Sequence, residues 1–199
     1  AKQLTVSQKQ LFIRLFYHAR GHFGRFLWIM ASTAPDFEYR SIVIENINDE
    51  LGGMGATHVS HEQLFTRFAE GLNVDVLAEE ISEENYLPFL KEFNKGHINA
   101  LLKGNWDEKW SVFSAYELLD NTDYNNLFIL ATKMGLSGDA LTFFEVHKDG
   151  DHFGKTFQLL KKIWEKDEEL VKKSFLFIGN HQLKMWNSLN DQVFAYNMI

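Results

Sequence analysis

Apolar residues recur along this chain at spacings of three and four, and no stretch sustains the apolar/polar alternation that a half-buried strand requires. The pattern predicts an all-α fold. A first helix is expected from about Ser7 to Met30, with Leu11, Leu15, Phe16, Ala19, Phe23, Phe26 and Met30 inward, ending before Ser-Thr-Ala-Pro. A second runs from near Asp36 to Gly52-Gly53 on Phe37, Ile44, Ile47 and Leu51. Ser60 and Gln63 have capping-box spacing and open a short helix carrying His61, Leu64, Phe65, Phe68 and Leu72 on one stripe. Next come helices over about Glu83 to Lys103, with Pro88 in the first turns, Asn105 to Asp120, and Thr122 to Met134. A long helix from Asp139 to Glu168 and a last one from Ser174 to Asn190 complete a bundle of seven to eight helices, residues 1–199 forming one domain.

Ionisable residues on inward stripes are the informative departure from this pattern. If residues 139–168 form one helix, Glu145, Asp149 and His152 fall within roughly 60° of one another, on the side of Leu159, Leu160 and Ile163. The competing stripe, His147 and Asp151, runs on through Gly154, Gln158 and Lys161 and is expected to face solvent. Trp106, Trp110, Phe113 and Glu117 form another stripe, which ends an aromatic face with a carboxylate. With Glu50 and His61, the inward set becomes Glu50, His61, Glu117, Glu145, Asp149 and His152. Carboxylates and imidazoles in an apolar interior are costly unless a cation compensates them. This inventory suits two octahedral first-row metals, with carboxylates able to bridge them. The competing reading makes Glu50 a surface carboxylate before Gly52 and His61 a helix-start histidine satisfied by the backbone. Phe65, Trp110 and Phe113 are candidates to line a substrate cavity, and His18 and His22 to make polar contacts in it.

Composition narrows the function classes. A formal charge of -7 argues against nucleic acid, whose phosphates want a basic surface. The absence of Cys removes disulfides, thiolate metal sites and a cysteine nucleophile. The most apolar segment, Leu11 to Met30, is interrupted by Arg14, Arg20 and Arg25, so no membrane span is expected. No signal-peptide cleavage pattern is visible and the chain begins at Ala1, an initiator Met being removed or unnumbered, so a cytoplasmic location is expected. Exposed apolar positions on the first and last helices are compatible with a homodimer.

Four stretches carry a resemblance to a known family: Glu45 to Gly52 (ENINDELG), His61 to Phe68 (HEQLFTRF), Ala115 to Leu119 (AYELL) and Phe143 to Gly154 (FFEVHKDGDHFG). Their order resembles the heme-oxygenase-like di-metal oxidases, relatives of the TenA and pyrroloquinoline-quinone synthase proteins. The resemblance implies a heme-oxygenase-like bundle in which a Glu before a glycine, a following His, a mid-chain Glu and a His-x3-Asp-x2-His triplet bind two iron ions, or iron with manganese. O2 is then the co-substrate and a small organic molecule is oxidised. Glu50, His61 and Glu117 match the first three positions, while Asp149 and His152 match the end of the triplet, with Glu145 in place of its first His. Read from His147 instead, Asp151 fits and Gly154 replaces the last His. The inward phase expected for Glu145 favours the first alignment. The alternative function is a metal-free relative that binds a small molecule or protein, its carboxylates compensated by Arg or Lys.

Overall fold

The computed structural model describes residues 4–53, 58–148, 150 and 152–196, and of His152 the backbone alone. Among these residues there is no strand. The helices are α1 (Val6–Arg20), α2 (Phe23–Thr33), α3 (Phe37–Glu50), α4 (His61–Glu70), α5 (Val76–Ser82), α6 (Pro88–Lys103), α7 (Trp106–Lys133), α8 (Thr142–Lys148), α9 (His152–Lys166) and α10 (Glu168–Ala195), with a 3₁₀ turn over Gly138–Leu141. No helix among the described residues is long and apolar enough to cross a membrane.

Local chemistry starts these helices where the side chains allow it. Thr5 with Gln8, Ser60 with Gln63 and Asn105 with Glu108 form reciprocal capping boxes at α1, α4 and α7. Pro88 occupies the first turn of α6, where its missing N–H is harmless. Asp167 caps α10, and Glu168 and Glu169 complement the positive end of the helix dipole. This helix therefore begins earlier than Ser174, where the apolar pattern first becomes visible.

The bundle is organised around α7, which packs against α6, α8, α9 and α10. The expected boundary between Asp120 and Thr122 is absent. Tyr124, Leu127 and Ala131 continue the buried face through the polar run, and Asp123 accepts bonds from Gln182 Nε2 at 2.9 Å and Trp186 Nε1 at 2.7 Å on α10. Tertiary pairing thus holds a polar stretch in the helix against its weak intrinsic preference. The single first helix is instead two, parted at Gly21-His22 between two helix-weakening glycines, Gly21 and Gly24. Most consequential is the break after Lys148, which divides the expected helix over residues 139–168 into α8 and α9. The helical phase is not carried across it.

Helix α5, absent from the periodicity reading, is fixed by Glu79, a carboxylate only 1% exposed. Glu79 accepts from His18 Nε2 at 2.8 Å and Arg14 Nη1 at 3.2 Å on α1, and from the Asn85 backbone N–H and side-chain amide at 2.9 and 2.8 Å. His18 is therefore a structural partner of this network. Burial alone would raise the Glu79 pKa; the bonds from His18, Asn85 and Arg14 outweigh it and hold the group below its ordinary 4.5. A lowered folded-state pKa means that the network stabilises the protein above the unfolded value and that this contribution fades as pH falls through the folded value. Glu79→Ala is expected to destabilise the fold by about 3 kcal/mol at neutral pH. Urea unfolding would measure it, and the gap between the two proteins should narrow below the ordinary carboxylate pKa of 4.5.

Candidate metal centre

Two helix ends are brought together at a glycine whose lack of a side chain the turn requires. Gly52, just after α3, has φ +80, and a Cβ there would lie 2.6 Å from the Val59 carbonyl carbon and 2.8 Å from the Ser60 nitrogen. Only a residue without a side chain permits both the left-handed turn and the close backbone approach. Glu50, last in α3, thereby meets His61, first in α4, with Oε1 and Nδ1 2.9 Å apart.

From α8, His147 joins them. One ligand atom from each of Glu50, His61 and His147 lies within 4.8 Å of the others, and the two imidazole rings are 4.3 Å apart between centroids. His147 Nδ1 donates to the Phe143 carbonyl at 2.6 Å, an assignment that leaves Nε2 with the lone pair a metal needs. Its ring is also stacked on Tyr124 at 4.2 Å and 18°. The imidazole is thus held in one orientation before any ion arrives.

Glu117, midway along α7, lines the same cavity of about 360 Å³ as these three residues. It is 3% exposed, and Asn46 Nδ2 is 3.5 Å from its Oε1. Burial, then the charges of Asp120 and Glu50, push its pKa well above the ordinary carboxylate range. The nearby cations have other partners. Arg20 donates through Nη1 to the Tyr116 hydroxyl and through Nη2 to Asp120 at 2.5 Å, its guanidinium lying over the rings of Tyr116 and Tyr124. Lys155 reaches Glu45 at 2.8 Å and Asp49 at 3.4 Å.

The structure thus brings together Glu50, His61, Glu117 and His147 from the sequence candidates, and with them Phe65 lines the cavity. It does not bring in Glu145, which is exposed. The inward expectation for Glu145 assumes the phase of a continuous helix; within the short α8, Phe143 and His147 are four residues apart and share the cavity face instead. In α9 the expected phase holds, with Thr156, Leu159, Leu160 and Ile163 buried and Gly154, Gln158 and Lys161 exposed. Asp149, Asp151 and the side chain of His152 lie outside the described residues. Trp110 and Phe113 are core residues and do not line the cavity: Trp110 is fully buried, packs against Tyr39 and Trp106 and bonds the Thr156 carbonyl at 3.3 Å. His22 is not in the lining either; it stacks on Tyr86 at 5.3 Å, and burial, followed by Arg25 and His18, lowers its pKa to about 4.

Arg20, Tyr116, Asp120 and Tyr124 line the cavity without having been singled out. Their signal was present: Tyr116, Asp120 and Tyr124 follow one another at spacings of four, a stripe hidden by the boundary placed inside α7.

A buried carboxyl whose folded pKa is raised loses stability as pH climbs past its unfolded value, so the sign here is opposite to that of Glu79. In the metal-free protein, Glu117→Gln is expected to stabilise the fold by about 2 kcal/mol at neutral pH, the gain vanishing below the ordinary carboxylate pKa. Denaturant unfolding at several pH values checks both the sign and the window. Gly52→Ala should destabilise by about 2 kcal/mol and separate Glu50 from His61. Its test is unfolding together with Fe(II) affinity, both of which should fall.

These residues fit an iron ion: two imidazoles and a carboxylate with converging donors are a ligand set iron accepts. A family model described as iron-containing redox enzyme matches residues 10–167. Among solved structures, a CADD-like protein of unknown function from Nostoc punctiforme PCC 73102 superposes with a TM-score of 0.76 at 15% identity, over 99% of this chain and 84% of that one. At that identity the likeness shows the fold, an all-α CADD-like bundle. No curated protein matches the chain. The match across most of the sequence shows that the chain belongs to the iron-containing redox enzyme family.

Proposed function

We propose that the cavity houses an O2-activating iron centre that oxidises a small organic substrate. The observation that carries this reading is the convergence of Glu50, His61 and His147, with ligand atoms inside 4.8 Å of one another, in a helical interior. Those three side chains would hold the first ion. Glu117 lies along the same cavity and is the candidate for a second position occupied by iron or manganese. When bound, iron supplies the redox chemistry with O2 that no protein side chain can supply. The chain's own residues do the rest. The Phe143 carbonyl fixes the His147 tautomer, Glu50 orients His61, and Phe65 and Phe143 keep the cavity wall apolar.

The competing metal-free reading requires Arg or Lys to neutralise the interior carboxylates. Arg20 does lie inside the bundle, but its hydrogen bonds go to Tyr116 and Asp120, and Lys155 bonds Glu45 and Asp49. Glu50 pairs with an imidazole and Glu117 with an amide. That distribution favours a cation supplied from outside the chain.

Anaerobic reconstitution with Fe(II) followed by elemental analysis tests the proposal. About one iron per chain or more is expected, and His147→Ala should weaken binding beyond the roughly 10- to 100-fold that loss of an orienting partner costs. Iron content well below one per chain, or unchanged affinity in the variant, would contradict it.

A further inference from the structure

We infer that the substrate of this cavity is a cation, a protonated amine with an apolar body, and not an organic anion. The inference names the substrate class of the site just proposed and takes from that reading only which end of the cavity is reactive. It starts from the charges that line the space. Arg20 is the one Lys or Arg among the described lining residues, and its charge is already engaged by Asp120 at 2.5 Å, by the Tyr116 hydroxyl and by two tyrosine faces. A carboxylate or phosphate guest would find there no cationic side chain that is not already ion-paired, although the buried Arg20 Nε keeps one donor without a hydrogen-bond partner.

Carboxylates, in contrast, occur at both ends. Glu117, 3% exposed, lies deep, while Glu62 and Glu80 are exposed lining residues. Tyr17 lies beside that outer pair: burial, then the charge of Glu80 and a bond to it, with a further contribution from Glu62, push its hydroxyl up to about 12. Arg25 acts on Tyr17 in the opposite sense but is not part of the lining. The rim therefore presents negative potential to an approaching guest, on a chain whose formal charge is already -7.

Between the rim and the ligand group runs a continuous aromatic wall. Tyr17 lies 5.7 Å from Phe65, Phe65 5.1 Å from Phe143, and Phe143 4.5 Å from His147 between ring centroids. On another side, Gly24 lines the cavity with nothing within 4 Å of where a Cβ would be, which leaves room that Ala would reduce. Gly in a first helical turn with no steric demand for it gives up helix propensity. An ammonium held at Glu62 and Glu80, with its hydrocarbon against Phe65 and Phe143, would direct its far end to Glu50, His61 and His147.

The test uses three probes of equal length: n-hexylamine, n-hexanoate and 1-hexanol. Each is titrated by ligand-observed NMR into full-length protein reconstituted with Fe(II) under anaerobic conditions, with iron content assayed on the same sample. Hexylammonium is expected to bind roughly tenfold more tightly than hexanoate. In a Glu62→Gln, Glu80→Gln double variant the preference should drop by about fivefold, and it should likewise weaken at ~0.5 M salt. Equal affinities, a preference for hexanoate, no binding by either charged probe, or a preference unchanged in the double variant would overturn the inference. Iron bound with a hexanoate preference defeats this inference alone; an amine preference in protein that takes up no iron defeats the metal reading and leaves this one standing.

Discussion

The desolvation of Glu117 is the constraint around which the rest of the structure is arranged. A carboxylate held at 3% exposure in the middle of a long helix has lost its water; Asn46 Nδ2 is 3.5 Å away, and burial with the repulsion of Asp120 and Glu50 outweighs the attraction of Arg20 and Lys155. Such a group either takes up a proton or waits for a cation. A few residues away in the same helix, Asp120 faces the same difficulty and meets it differently, through a 2.5 Å ion pair with Arg20. The contrast is informative. The chain has a buried arginine within reach of this region and commits it to Asp120, leaving Glu50 beside two imidazoles and Glu117 farther along the same cavity wall.

The candidate ligand residues come from parts of unequal stiffness. Glu117 comes from the centre of α7, where the helix is fixed by packing on four neighbours. Glu50 and His61 come from helix termini joined through Gly52, and His147 from a helix of seven residues. Termini and short helices can be aimed by a single turn residue or a single hydrogen bond, and here those devices are visible: the left-handed Gly52 and the Phe143 carbonyl on His147 Nδ1. Behind them the aromatic core of Phe16, Phe68 and Phe144 holds α1, α4 and α8 in register. An apolar scaffold this dense makes misplacement of the donors costly.

Periodicity made the helical class, the capping of α4 and the candidacy of Glu50, His61 and Glu117 legible, because each depends on short-range spacing within one helix. What it could not carry was phase across a break. Counting from Leu159 back to Glu145 assumes an unbroken helix, and the chain interrupts it after Lys148, so an arithmetic that is right for Thr156 and Ile163 turns Glu145 inward and His147 outward in error. The local cue was the apolar pair Phe143-Phe144, which sets the face of α8 and places His147 four residues beyond the first of them. The opposite mistake hid Tyr116, Asp120 and Tyr124, because a polar run was read as a helix end that Gln182 and Trp186 on α10 prevent. Helix α5 escaped notice for a related reason: it is held by the Glu79 network more than by an apolar stripe of its own.

On the function proposed above, bound cations complete an interior whose carboxylates the described side chains leave under-compensated. Anomalous X-ray scattering at the iron edge, from crystals grown after anaerobic loading with Fe(II), examines it most directly. A peak is expected within bonding distance of Glu50, His61 and His147, with Glu117 turned toward the same space. Loaded crystals with no peak among these residues, or with a Lys or Arg side chain occupying their midst, would contradict it.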